Sequence, residues 1–278
     1  MKNRVVLITG CSRGIGKAAA VELARTGWTV VGTLRNDVER KALEDAGVEI
    51  LHLDVRKPEE IDACISEVIK RHGQLDALVA NAGYGLFGCF EDLDDHQIRD
   101  LMEVNFYGVL ACARAALGHL RQRKGRLVII GSVAGRRGAP GSSIYNASKF
   151  ALEGWAEGLS FELETQGARV ILVEPGPTVS GFVKSRTMGT RCGTGPYAEL
   201  TLRLQSLQDQ VFDNAEPVDG VVEAIRFALE AVDPPLRLPT GRQTRLQIFA
   251  HKTLPWKVWR SLVRQRLASV EPKSPSSN

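Results

Sequence analysis

Tyr145 and Lys149 stand four residues apart in the stretch YNASK, and on a helix that spacing puts a phenol and an ammonium on one face. A free tyrosine ionises near pH ~10, and a fixed cation beside it favours the phenolate, which brings the group towards acid/base work at neutral pH. A second chemical signal is TGCSRGIG, from Thr9 to Gly16, which follows an apolar run and opens an Ala-rich helical pattern. Gly10, Gly14 and Gly16, with Ser12, Arg13 and Ile15 between them, allow a sharp turn and close approach of the backbone to a pyrophosphate at the positive helix N-terminus. The plain alternatives are a tight strand-to-helix turn, a partly buried phenol and a solvated lysine.

The elements that must hold these groups are short β-branched runs alternating with longer helical patterns. Strands are predicted at Val5 to Thr9, Thr29 to Leu34, Glu49 to Leu53, Ala77 to Ala80, Leu127 to Gly131 and Val170 to Glu174, with a weaker one at Leu236 to Leu238. Their near-continuous apolar character suits strands covered on both faces. Pro58 suits the first turn of a helix, and Ser143 to Thr165 reads as one long helix. The pattern predicts one α/β, doubly wound domain over residues 1–240, with a mostly parallel seven-stranded sheet and helices on both faces.

The 278 residues, 24% charged with a formal net charge of +4, describe an ordinary globular chain without the concentrated basic face of a nucleic-acid reader. Five scattered cysteines with no C-x-x-C pair, and dispersed histidines, indicate neither a disulfide framework nor a metal site. The N-terminal apolar run is too brief for a signal peptide and no uncharged run reaches the length of a membrane span, so a cytoplasmic protein with reduced thiols is expected.

Two regions depart from the alternation. Residues 179–217 are mixed in Gly, Thr, Arg and Gln and read as a substrate loop with short helices. Residues 241–270 form a basic amphipathic extension in which seven Lys and Arg residues and no acid are interleaved with Ile248, Phe249, Trp256 and Trp259 between Arg242 and Ser269. Such a segment can pack on the body of the protein, cap a pocket, or touch an anionic membrane surface peripherally. Pro255 would interrupt any single helix there, and 271–278 reads as a disordered tail.

The glycine spacing is G-x-x-x-G-x-G, and it is followed in order by LDV at 53–55, NAG at 81–83, VNFYG at 104–108, GSVAG at 131–135, YNASK and EPGP at 174–177. In these motifs the chain resembles the classical short-chain dehydrogenases/reductases over nearly all of its length to about residue 240. GTLRN, NAGYGLFG and YNASKFALEG look most like the hydroxysteroid and retinol dehydrogenase branch. The resemblance implies a Rossmann-type domain and a catalytic set. In it Tyr145 is the general acid or base, Lys149 also holds the nicotinamide ribose, Ser132 binds the substrate oxygen, and Asn105 bends its helix and supports a proton-relay water.

It also implies that Asp54 and Val55 border the adenine, that Asn81, Ala82 and Gly83 lie beside the adenosine half, and that Pro175 and Gly176 form the nicotinamide-side turn. Either Thr178 or Ser180 would supply the hydroxyl for the carboxamide. Leu34 stands where relatives that prefer NAD carry an acid, and Arg35 follows it. With Arg13, that gives two guanidiniums for a 2′-phosphate, so NADP(H) is favoured over NAD(H) unless a shifted register brings Asp37 to the ribose.

The expected activity is hydride transfer between NADP(H) and a ketone or secondary alcohol. Tyr84 to Phe90, Phe182 and Val183 are candidates for an apolar pocket suited to a bulky steroid, retinoid, polyketide or terpenoid substrate. Alternatives are a nucleotide sensor without turnover, or a dehydratase or epimerase of the same family. A homodimer or homotetramer is implied, with contacts through the helices around Asn105 and Tyr145.

Overall fold

The computed structural model describes residues 4–182 and 186–272; Val183 and residues 273–278 of the expected tail lie outside the described residues. Seven strands form one sheet: β1 (Val5–Ile8), β2 (Thr29–Leu34), β3 (Glu49–His52), β4 (Ala77–Ala80), β6 (Arg126–Ile130), β7 (Arg169–Glu174) and β9 (Arg237–Pro239). The order is β3-β2-β1-β4-β6-β7-β9 and every pairing is parallel.

Alternate residues of each strand feed two cores, as a period of two requires. Leu7, Leu78, Leu127, Ile129 and Leu172 point to one face. There they meet α3 (Pro58–His72), α5 (Gly108–Arg123) and α6 (Ser143–Glu164) through Ile65, Val68, Leu120, Leu152 and Leu159. Val6, Ile8, Val79, Val128 and Val173 point to the other. That face is covered by α1 (Gly14–Arg25), α2 (Arg40–Asp45) and α8 (Asp219–Glu230), through Ala19, Ala20, Leu23, Leu43 and Ile225. Each such buried aliphatic side chain contributes about 1.5–3 kcal/mol by leaving water. Burial pushes the thiols of Cys11, Cys64 and Cys112 up to about 12, so these three are core fillers rather than nucleophiles.

Three features were not foreseen. A second, two-stranded parallel sheet pairs β5 (Leu86–Phe87) with β8 (Thr187–Met188). Between α4 (Asp95–Met102) and α5 the backbone forms a π-helical segment, Glu103–Tyr107. The region read as a loop with short helices contains one short 3-10 turn, Gly195–Tyr197, that runs into a 16-residue helix, α7 (Ala198–Asp213), anchored by buried Thr201 and Leu204. The basic extension forms α9 (Arg242–Thr253) and α10 (Trp256–Ala268), broken at Pro255 as its missing N–H requires. No helix among the described residues is long and apolar enough to cross a membrane.

Candidate active site

Strand order reverses between β1 and β4, and the carboxyl ends of the strands diverge there to leave a crevice. A cavity of about 1070 Å3 fills it. Gly10, Leu34, Arg35, Leu53, Ala82, Ser132 and Pro175, each at or just beyond a strand end, line one part; α7 and α10 close another through Leu204, Leu207, Val211, Trp259 and Val263.

α6 brings Tyr145 and Lys149 to the wall together, and the turn after β6 brings Ser132. The Lys149 ammonium lies 5.9 Å from the centre of the Tyr145 ring and donates to the Ile130 carbonyl at 2.9 Å. The expected lowering of the Tyr145 pKa by this cation is not what governs the phenol. Burial pushes it up to about 12, and the Ser132 hydroxyl opposes the shift by hydrogen bonding. Burial likewise holds Lys149 down to about 8, opposed by the charge of Glu153. The Ser132 hydroxyl oxygen accepts from the Ala134 N–H at 3.0 Å, which fixes its direction.

Asn105 is fully buried and lies behind the cavity wall. It sits in the π-helical segment, and its amide accepts from the Tyr84 N–H at 3.0 Å and donates to the Tyr84 carbonyl at 2.9 Å. Its place is therefore that of a positioning residue for the strand-end segment. Asn146, which sequence reasoning passed over, is another. It donates to the carbonyls of Ala134 and Arg137 and accepts from the Ala139 N–H, so it pins the loop over the site. Its signal was a buried amide inside YNASK, legible only once the loop's open backbone groups are known.

The nucleotide half is built on the start of α1. Arg13, at the N-cap, makes no side-chain capping bond, and the first turn holds no acid, so the leading N–H groups are left for an anion. Gly10 has φ +74, and a Cβ there would lie 2.9 Å from the Ala82 Cα, so only glycine keeps the loop closed on the strand-end segment. Gly16 differs from its expected role. It is absent from the cavity wall, and a Cβ there would sit 2.4 Å from the Gly10 carbonyl oxygen, so it serves the packing of loop on helix. Ser12, Arg13, Gly14 and Ile15 do line the cavity.

Asn81, Ala82, Gly83, Asp54, Val55, Pro175, Gly176, Thr178 and Ser180 also line it. The Asn81 side chain is turned inward, donating to the carbonyls of Thr9 and Gly10 at 2.9 Å, so it braces the glycine loop and leaves its backbone to the cavity. Arg56 grips Asp54 and holds its carboxyl down to about 2. Thr178 donates to the Gly176 carbonyl at 3.0 Å and Ser180 to the Thr178 carbonyl at 3.3 Å, so both hydroxyls stabilise the turn itself. Asp37 pairs with Arg40 and is absent from the wall, whereas Arg13 and Arg35 are exposed upon it. Open helix amides, a glycine cradle and strand-end segments together fit a dinucleotide.

This fold and crevice define an oxidoreductase of the nucleotide-binding α/β class, and a family model described as short chain dehydrogenase matches residues 4–190; the chain belongs to that family. It is 32% identical over 259 residues to a 3-ketodihydrosphingosine reductase of Bacteroides thetaiotaomicron, covering 92% of this chain and 94% of that one. It is 35% identical over 269 residues to human retinol dehydrogenase 8, covering 90% and 84%. A solved short-chain dehydrogenase from Streptomyces avermitilis superposes with a TM-score of 0.82 at 31% identity, covering 96% and 97%. An alcohol dehydrogenase from Thermococcus sibiricus, complexed with 5-hydroxy-NADP, does so with 0.69 at 27% identity, covering 85% and 95%. These relatives place it near a hydroxysteroid/retinol-type branch.

Proposed function

We propose that the protein is an NADP(H)-dependent oxidoreductase acting on a hydrophobic ketone or secondary alcohol. The observation that carries this reading is the single cavity that joins the open amides of α1 to Ser132, Tyr145 and Lys149. When bound, the nicotinamide supplies or accepts the hydride. Ser132 orients the carbonyl oxygen, and Tyr145, protonated across the working pH range, donates its proton to that oxygen as the alcohol forms. Lys149, one helical turn after Tyr145, would hold the nicotinamide ribose. Asn105 and Asn146 keep the walls in place.

Arg13 and Arg35 supply the preference for a 2′-phosphate, since Leu34 is buried where an acid would meet the ribose and among the described residues neither arginine is in an ion pair. The test is oxidation of NADPH against NADH over a panel of hydrophobic ketones. NADPH is expected to be preferred, and Arg13→Ala with Arg35→Ala should raise its KM by about 10- to 100-fold, as loss of charge-assisted bonds to phosphate does. NADH kinetics should move less than threefold. A wild-type preference for NADH would overturn the cofactor assignment.

A homodimer or homotetramer through α5 and α6 goes with this reading, supported by the exposure of Phe150 and Phe161 on α6 and of Tyr107 at the end of the π-helical segment that leads into α5. Sedimentation should give a multiple of the 30.4 kDa chain. Phe150→Glu with Phe161→Glu should shift it to the monomer, and an unchanged sedimentation coefficient would place the contact elsewhere.

A further inference from the structure

The part of the cavity beyond Tyr145 is lined largely by apolar residues, yet it carries two partly buried guanidiniums, Arg137 and Arg186, and is bordered by the exposed Arg266. The carboxylates on the lining, Glu39 and Asp54, belong to the nucleotide half; among the described residues none borders the substrate half. Arg137 donates to the neutral amide oxygen of Gln247 at 2.8 and 3.1 Å, and burial alone lowers its pKa. A hydrophobic ketone needs no cation in its pocket, and a chain that desolvates arginines without a use for them loses stability.

Arg186 is the most informative. Its guanidinium lies 4.9 Å from the centre of the Phe87 ring, and its Nη1 is buried with no hydrogen-bond partner among the described residues. Asp209 reaches it electrostatically, yet burial still lowers its pKa. On α7, the buried Oε1 of Gln208 also lacks a partner. The Phe87 ring under Arg186 packs in one cluster with Leu204, one turn before Gln208 on the same face of α7, and a Gln208 amide turned over would offer an N–H to the cavity that both residues line. Such orphaned groups on a cavity wall call for a ligand atom.

We propose that Arg186 and Gln208 form an anion subsite within the substrate half, with Arg137 and Arg266 adding to its field, and that the substrate is a hydrophobic carbonyl compound or alcohol bearing a carboxylate. A carboxylate is planar and accepts two parallel bonds from a guanidinium. Phe182 stands between this subsite and the acid. Its ring is 5.6 Å from that of Tyr145, and the point where a Gly85 Cβ would lie is 2.9 Å from the Phe182 ring and 3.5 Å from the Arg186 Cβ. The anion is thus held several bonds away from the reacting carbon. This deepens the redox reading of the same cavity and rests on it for the word substrate, whereas the subsite itself does not.

Calorimetric titration of the full chain with decanoate and with decan-1-ol separates the two, because binding is read without turnover. Decanoate should bind at least tenfold more tightly. Arg186→Gln should bring the two ligands within threefold of each other and Arg186→Lys should restore most of the preference. Arg260→Gln, exposed on α10 away from the lining, should leave it intact. Gln208→Leu, which keeps the cation, should cut the preference severalfold. Equal affinities in the wild type, or a preference that survives in Arg186→Gln, would overturn the subsite even if NADPH oxidation succeeds; failure of NADPH oxidation with the anion preference intact would overturn the redox reading alone.

Discussion

Replacing Tyr145 with Phe is expected to lower kcat for carbonyl reduction by about 10²- to 10⁴-fold, the range in which a positioned proton donor contributes. The change removes one oxygen and keeps the ring, which packs against Phe182 and beside Leu86, Leu93 and Leu101. Dinucleotide affinity should therefore stay within about twofold, and Tm should hardly move. The phenol's pKa, raised to about 12, fixes the pH response as well. In the free protein the donor stays protonated through neutral pH, so reduction suffers no loss from Tyr145 there. Alcohol oxidation needs the phenolate, so its rate should climb with pH up to about pH 8, where Lys149 begins to lose its proton. Single-turnover rates and a fluorescence titration of NADPH check both halves, and an unchanged kcat would remove Tyr145 from the chemistry.

Lys149→Met should abolish turnover and yet make the protein more stable. The ammonium is buried, and its pKa falls from 10.5 to about 8 on folding. That difference corresponds to about 3 kcal/mol of destabilisation below pH 8. The lost bond to the Ile130 carbonyl returns about 1 kcal/mol of it. Between pH 8 and 10.5 the unfolded chain holds more protons than the folded one, so wild-type stability rises with pH in that window. The advantage of Met should accordingly be about 2 kcal/mol at pH 7 and disappear as pH approaches 10.5. In the wild type, kcat/KM for NADPH should fall above about pH 8 as the ammonium is lost. Urea denaturation at pH 7 and 10 tests the first claim; a destabilised Met variant at pH 7 would show that Lys149 is held by more than its one carbonyl bond.

Much of this architecture was legible because the signals were periodic. Val5 to Ile8 or Val170 to Val173 can hardly be anything but buried parallel strands, and the helix over YNASK follows from its length. β5 and β8 escaped because two residues each carry no period. α7 escaped because its amphipathic face is shallow and its buried positions, Thr201 and Leu204, include a polar one. In the site, residue types pointed to Tyr145, Lys149 and Ser132. Burial did not follow from type. A solvated lysine beside a tyrosine would lower the phenol's pKa, and it is the desolvation of both, set by distant packing, that turns the balance the other way. Arg186 and Arg137 were invisible for the same reason, since an arginine in a loop announces nothing until the loop folds over a cavity.

The helices that close the cavity come from a different stretch of chain than the groups that would do its chemistry. The glycine loop, the strand ends and the Tyr145–Lys149 face all precede residue 183, whereas Leu204, Gln208, Trp259 and Val263 come from helices after residue 197. Substitutions in those later helices change which molecules are admitted without disturbing the groups that would act on them. Ligand preference can thus change through the later stretch while the chemical apparatus is inherited whole, and exchange of residues 186–268, which carries Arg186 together with these helices, is the natural unit of recombination for an engineer seeking a new specificity.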